Sequence, residues 1–179
     1  NISFVETSFN EEVGDASITV SLNKSSTETI TVDYATTAGS ATSGSDFTAA
    51  SGTVTFASGE TSKTIIVATT NDGIDENNEN FLIDFSNPTN ANLPDNQGSY
   101  TILDDDGAPT VSILDASANE GDGTITFTVQ FNGETDQEVT VDYATANSSA
   151  TAGADYTETS GTISFPAGSS NTTKTFTVP

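Results

Sequence analysis

Apolar residues recur at every second position in short runs along this chain. Stretches rich in Gly, Ser, Asn and Asp separate the runs. A period of two marks a strand with one buried face, because successive side chains point to opposite sides of a pleated backbone. Ile2 and Phe4 open the pattern. Ile18, Val20 and Leu22 alternate with Thr19 and Ser21, and Ile30, Val32 and Tyr34 with Thr31 and Asp33. Val54 and Phe56 mark a further strand ended by Ser58-Gly59, and Thr64 to Thr69 alternates again. Phe81, Ile83 and Phe85 follow, with Asn87 and Pro88 expected to break that strand. Tyr100 and Ile102 lead the last strand into Asp104-Asp105-Asp106. The segment from Thr37 to Ala50, with Gly44-Ser45-Asp46-Phe47 inside it, reads as a long loop with room for a short edge strand. Seven short strands, frequent turn signals and no sustained helical period predict an all-β, antiparallel β-sandwich.

After Pro109 the pattern restarts. Asp33-Tyr34-Ala35-Thr36 returns as Asp142-Tyr143-Ala144-Thr145. Gly44-Ser45-Asp46-Phe47 returns as Gly153-Ala154-Asp155-Tyr156, and Ser51-Gly52-Thr53-Val54-Thr55-Phe56 as Ser160-Gly161-Thr162-Ile163-Ser164-Phe165. The shift is 109 positions each time, and Glu11 falls on Glu120. A gapless match over roughly sixty positions signals tandem domains. The expected organisation is a first sandwich over 1–106, a linker over 107–109 and a second, incomplete sandwich over 110–179. In the second copy Thr177-Val178-Pro179 matches Ile66-Val67-Ala68 after a two-residue insertion near Asn171 to Thr173. The counterparts of the last two strands are missing. The expectation is that the parent polypeptide continues; the alternative is that another chain supplies the strands.

Composition narrows the chemistry. Lys plus Arg number 3 against 26 Asp plus Glu, a formal net charge of −23. That excludes nucleic-acid or anionic-membrane binding through a basic patch. No apolar run approaches a membrane span, so direct membrane insertion is not expected. Neither a Met nor a leader pattern is visible at Asn1, so a processed or excised piece of a longer protein is expected. Cysteine and histidine are both absent. Disulfides, thiolate or imidazole metal sites and Ser-His or Cys-His catalysis go with them. Carboxylate, hydroxyl, amide and carbonyl oxygens remain, and these suit hard cations such as calcium.

The carboxylates gather in loops: Glu11 with Glu12, then Asp46, then Asp72, Glu76 and Glu79, then the triad Asp104-Asp105-Asp106 before Gly107-Ala108-Pro109. Two carboxylates about 6 Å apart repel by roughly 2–3 kcal/mol at an effective dielectric near 20. A calcium ion would relieve that repulsion, and alternate turns of a sandwich can bring these loops to one end. Taken alone, the triad is equally well explained as a solvated acidic linker. Asp46 has a local alternative too, capping its own loop through backbone hydrogen bonds. Asp33 and Asp142 read as exposed strand residues, and Tyr34 and Tyr143 as core.

Glu11 before a Gly, Asp33-Tyr34 with Gly44-Ser45-Asp46-Phe47, Gly52-Thr53-Val54-Thr55-Phe56 with Gly59-Glu60-Thr61, Asp72 to Phe81, and Ile102-Leu103-Asp104-Asp105-Asp106 together resemble the Calx-β domain family. The likeness covers one full copy and most of a second. It implies tandem immunoglobulin-like sandwiches that bind calcium at one end. By position, the implied ligands are Glu11, Asp46, Asp72, Glu76, Glu79, Asp104, Asp105 and Asp106, with Ile74 offering its carbonyl. One departure is Asn71-Asp72-Gly73, where the family often has consecutive aspartates, so one to three ions are implied. In the second copy only Glu120 and Asp155 survive, too few for a complete site.

The expected function is a calcium-binding structural or adhesive module of a secreted, cell-surface or matrix protein of bacterial type, with calcium stiffening the junction between adjacent repeats. One alternative is a subunit of an extracellular filament built by strand donation between neighbouring chains. A second is a calcium-dependent module for a surface glycan or protein ligand. An enzymatic role is not expected: a carboxylate pair of the glycosidase kind arises by chance among so many acids.

Overall fold

Residues 1–179 are described by a computed structural model of the chain. It is all-β apart from two single 3₁₀ turns. Two compact units form, one from Asn1–Asp72 and Asn77–Asp105, the other from Gly73–Glu76 and Asp106–Pro179.

The first unit contains eight strands: β1 (Ile2–Phe4), β2 (Ser8–Asn10), β3 (Asp15–Leu22), β4 (Ile30–Ala38), β5 (Ser51–Phe56), β6 (Ser62–Ala68), β7 (Glu79–Thr89) and β8 (Gln97–Leu103). One sheet has the order β1-β3-β6 and the other β2-β8-β7-β4-β5. Alternation decides which side chains face inward. On β3, Ala16, Ile18, Val20 and Leu22 are buried while the residues between them are not. Ile65 and Val67 of β6 lie opposite Ile18 and Ala16 and are buried, which leaves Ile66 on the outer face. Val32, Val54, Phe56, Phe81, Ile83, Phe85, Tyr100 and Ile102 of the second sheet complete the core. Phe4 stacks on Phe85 with ring centroids 4.7 Å apart, one of the contacts joining the two sheets. Tyr34 is only partly buried against this core.

Three features depart from the expected strands. The triad lies outside the last strand, which ends at Leu103, because three adjacent carboxylates pair poorly in a ladder. Asn87 and Pro88 do not end β7, which runs to Thr89. Asn87 takes a left-handed φ of 50°, and the register against β4 shifts between Thr31 and Asp33. A bulge therefore absorbs the proline, and pairing resumes at Thr31 with Thr89. The third feature is β2, which pairs in parallel with β8 although the stretch gave no alternation to read.

The long loop after β4 also contributes to the core. Ala41 and Phe47 are fully buried, and Phe47 stacks on Phe81 at 5.0 Å.

The second unit contains β9 (Thr110–Ile113), β10 (Ile125–Thr135), β11 (Val139–Ala144), β12 (Ser160–Phe165) and β13 (Ser169–Val178). They form a sheet of order β13-β10-β9 and a two-stranded sheet β11-β12. Val129, Phe131, Ile163 and Phe165 are its buried core. The register of β10 against β13 shifts between Phe131 and Glu134, and Asn171 takes a left-handed φ of 35° there. The two-residue insertion in the repeat falls at this irregularity.

Candidate metal centre

Strand register explains how distant carboxylates meet. Ser8, Phe9 and Asn10 of β2 align in parallel with Thr101, Ile102 and Leu103 of β8. The next residue on each strand is Glu11 and Asp104, so the two leave the sheet side by side. Glu11 opens a 3₁₀ turn closed by Gly14, whose φ of 78° is the left-handed conformation glycine tolerates best. The Gly14 carbonyl then accepts the Thr69 N–H at 3.0 Å, which ties this turn to the end of β6. Glu79 begins β7 directly opposite Ile102, which places it beside the same strand end.

The Asp46 loop is held from two sides. Asp46 Oδ2 accepts the Thr42 N–H at 2.5 Å, and its carbonyl accepts the Thr70 N–H at 2.9 Å. Asn80 anchors the start of the loop: its carbonyl accepts the Ala41 N–H at 2.9 Å and its side-chain oxygen the Ser40 N–H at 3.2 Å. The loop is therefore fastened to the residue next to Glu79.

Two groups of three carboxylates result. In each of them the nearest carboxylate oxygens lie within 4.8 Å of one another: Glu11, Asp104 and Asp106 in one, Asp46, Glu76 and Glu79 in the other. Glu11 is only 5% exposed and its Oε1 accepts the Asp72 N–H at 2.9 Å. The Asp104 N–H donates to Asn78 Oδ1 at 3.0 Å, which fixes the start of the triad. At 4.8 Å and an effective dielectric near 20, each ionised pair repels by about 3.5 kcal/mol. Lys63 is committed elsewhere, paired with Glu60 at 2.8 Å, and Lys174 lies over the Phe165 ring. Hard oxygen donors at this spacing fit a divalent cation such as calcium, which takes 6–8 oxygens at about 2.3–2.6 Å.

Of the residues expected from sequence, six enter these groups. Asp72 joins through its backbone contact with Glu11, and its side chain is exposed. Asp105 is exposed and in neither group; Ile74 is half-buried. Glu120 and Asp155 line one open cleft in the second unit, with no third carboxylate grouped around them. Asp155 Oδ2 accepts the Thr151 N–H at 2.8 Å, just as Asp46 accepts that of Thr42. The loop-capping alternative thus holds in both copies, and only Asp46 also meets two further carboxylates. Sequence reasoning missed Asn78 and Asn80, whose amides hold the acidic segments in place. Their signal was the polar run Asn77-Asn78-Glu79-Asn80 immediately before the apolar alternation of β7.

The Calx-beta domain model matches residues 1–116 and again 104–179. Over 61 residues the chain is 48% identical to the sodium/calcium exchanger 1 of Canis lupus familiaris, covering 34% of this chain and 6% of the exchanger. The chain thus spans a small part of the curated relatives it matches. Among solved structures, the calcium binding domain CBD12 of CALX1.1 superposes with a TM-score of 0.57 at 23% identity, covering 99% of this chain and 74% of that one. The apo-form Calx CBD1 domain does so with a TM-score of 0.53 at 26% identity, covering 59% and 96%. At such identities the first likeness speaks to the fold.

Proposed function

The chain belongs to the Calx-beta domain family, and from that premise we propose that it is a calcium-binding structural module. Two carboxylate groups packed within 4.8 Å, in a chain with 3 basic residues, carry this reading. Glu11, Asp104 and Asp106 would hold one ion, and Asp46, Glu76 and Glu79 another. Asp72, Asp105 and the Ile74 carbonyl stand close in sequence to complete the coordination. When bound, the ion supplies positive charge that cancels the repulsion. The chain's own residues supply the frame: β2 beside β8 sets Glu11 next to Asp104, and Asn80 holds the Asp46 loop at the start of β7.

The role we infer is mechanical and extracellular. The triad is followed at once by Gly107-Ala108-Pro109 and then β9. Tying Asp104 and Asp106 to Glu11 therefore restrains the segment from which the second repeat starts. Extracellular modules bind calcium at about 10⁻⁴–10⁻³ M, and the millimolar calcium outside cells keeps such sites filled. The extreme acidity fits a surface or matrix protein, where net charge keeps long arrays soluble.

Calorimetric titration of the chain with calcium tests the binding, with Glu11→Gln, Glu79→Gln and the double variant carrying both as comparisons. Wild-type heat indistinguishable from that of the double variant would sink it. Spin labels on Thr55 and Thr140 test the stiffening. Calcium should narrow their distance distribution, and an unchanged width would reject the mechanical role.

A further inference from the structure

The chain holds three basic residues, and two of them stand at one structural position. The shift of 109 positions, with the two-residue insertion added, carries Lys63 onto Lys174. Pairing agrees: Lys63 lies opposite Val20 and Lys174 opposite Val129, which are themselves repeat counterparts. The strands that carry them are sheet edges. β6 ends the order β1-β3-β6, and β13 ends the order β13-β10-β9. This edge is open in the first unit with all eight strands in place, so it belongs to the fold itself. A backbone contact closes only its far end. The Thr48 N–H donates to the Ala68 carbonyl at 2.8 Å, and the Thr157 N–H to that of Pro179 at 2.6 Å.

What stays open has the composition of a strand that pairs readily. Ser62–Ala68 reads SKTIIVA and Ser169–Val178 reads SSNTTKTFTV, rich in β-branched residues and without proline. Neither carries an acid, in a chain with 26. Bare edges of this kind join other strands. The lysines are the only charges on them, and each is on the face that points into the sandwich. Lys63 shares that face with buried Ile65 and Val67, and Lys174 with Phe176 and Val178. Their ammonium groups are held differently. Lys63 pairs with Glu60 at 2.8 Å. Ser169 stands where Glu60 would be in the second copy. Lys174 instead donates to the Ser164 carbonyl and lies 5.7 Å from the centre of the Phe165 ring. Position and charge are thus the same in both copies while the partner differs, which speaks against a role confined to one ion pair.

We infer that Lys63 and Lys174 guard these edges against pairing with another copy of the chain. A strand laid along β6 or β13 would set its own inward residues against the ammonium and strip water from it. The net charge of −23 repels copies at a distance, but neither edge carries a carboxylate to repel at contact. Tandem repeats meet at high local concentration, where mispairing is a characteristic failure.

The test is the whole chain carrying Lys63→Thr and Lys174→Thr, followed by sedimentation equilibrium from micromolar to millimolar protein in EGTA. Molar sodium chloride shortens the reach of the net charge to about 3 Å. Under those conditions wild type should stay monomeric. The double variant should dimerise with a Kd roughly tenfold or more below the wild-type limit. Amide hydrogen exchange should slow in Ser62–Val67, in Thr172–Thr177 or in both, and only where dimers form. Losing two lysines takes the net charge from −23 to −25, so relief of repulsion cannot be the cause. Lys63→Arg with Lys174→Arg should remain monomeric. A double threonine variant that stays monomeric in molar salt would overturn the inference. So would wild type dimerising equally there, which would leave the guarding to net charge. Lower stability of the variant in urea without any association would make the lysines clamps on the flank of the sandwich instead.

Discussion

Glu11→Gln separates two contributions that act in opposite directions at the same site. The variant keeps an oxygen to accept the Asp72 N–H and removes one negative charge. In the metal-free protein that charge sits within 4.8 Å of Asp104 and Asp106 oxygens. Two pairs at about 3.5 kcal/mol each would sum to about 7 kcal/mol at an effective dielectric near 20. The cost cannot rise that far, because taking up a proton sets a ceiling. For a glutamate with the ordinary value of about 4.3, protonation at pH 7 costs about 3.7 kcal/mol. Salt and the half-exposed aspartates lower the repulsion further. A gain of about 1–3 kcal/mol for the metal-free variant follows. For a sandwich of this size that is a rise in Tm on the order of 10 °C.

With calcium the order inverts. Wild type gains about 4.1 kcal/mol from this site at a calcium concentration about one thousand times its Kd, and the variant, lacking a buried ligand, gains little from it. Differential scanning calorimetry at pH 7, once in EGTA and once in excess calcium, reads both arms. The expectation is that Glu11→Gln melts above wild type in EGTA and below it in calcium. A variant that melts below wild type in EGTA would show that Glu11 is not under repulsion. One that gains as much as wild type from calcium would remove Glu11 from the ligand set.

Other expectations rest on single contacts. Gly39→Ala would press a methyl group against the Asn80 carbonyl oxygen, which already accepts the Ala41 N–H. It should cost about 1–3 kcal/mol in urea unfolding and weaken calcium binding by displacing the Asp46 loop. Phe47→Ala removes a fully buried ring stacked on Phe81 and should cost about 3–5 kcal/mol by the same assay. Burial, then the charges of Glu6 and Asp95, pushes the Tyr100 hydroxyl up to about 12. A raised folded value means this contribution is intact below the ordinary pKa of 10 and is lost as pH climbs to 12, about 2–3 kcal/mol in all. Tyr100→Phe should abolish that loss, and it should raise stability at pH 7 by about 1 kcal/mol, because the buried hydroxyl has no partner. The Thr53 hydroxyl, then the Asn87 amide, hold the Asp33 carboxyl below its ordinary range. Its contribution is therefore present above about pH 4 and fades as pH falls through the depressed value. Acid unfolding of Asp33→Asn should lack that part of the transition.

How much of this was legible depends on the range over which each feature is encoded. Strands of six or more residues announce themselves, since three inward side chains in a row leave a period that no helix shares. The repeat announces itself too, because a constant shift of 109 positions links Asp33 to Asp142 and Phe56 to Phe165. The residue types of the candidate ligands were equally visible, since a chain without histidine or cysteine has only oxygen to offer. What sets their geometry was not. β2 is three residues long with one apolar side chain, Phe9, too short for any period, yet its parallel register against β8 is what sets Glu11 beside Asp104. The Asp46 loop reads as polar, although Ala41 and Phe47 inside it are core residues. Gly44-Ser45-Asp46-Phe47 recurs in the second copy as Gly153-Ala154-Asp155-Tyr156, and that recurrence was the available clue that an aromatic anchors this turn in both. Asn87 and Pro88 misled in the other direction, because a bulge satisfies the same local preferences as a strand end. Local chemistry thus names the donors. Pairing between segments some ninety residues apart, as between Asn10 and Leu103, decides which donors share a site, and no short-range pattern carries that information.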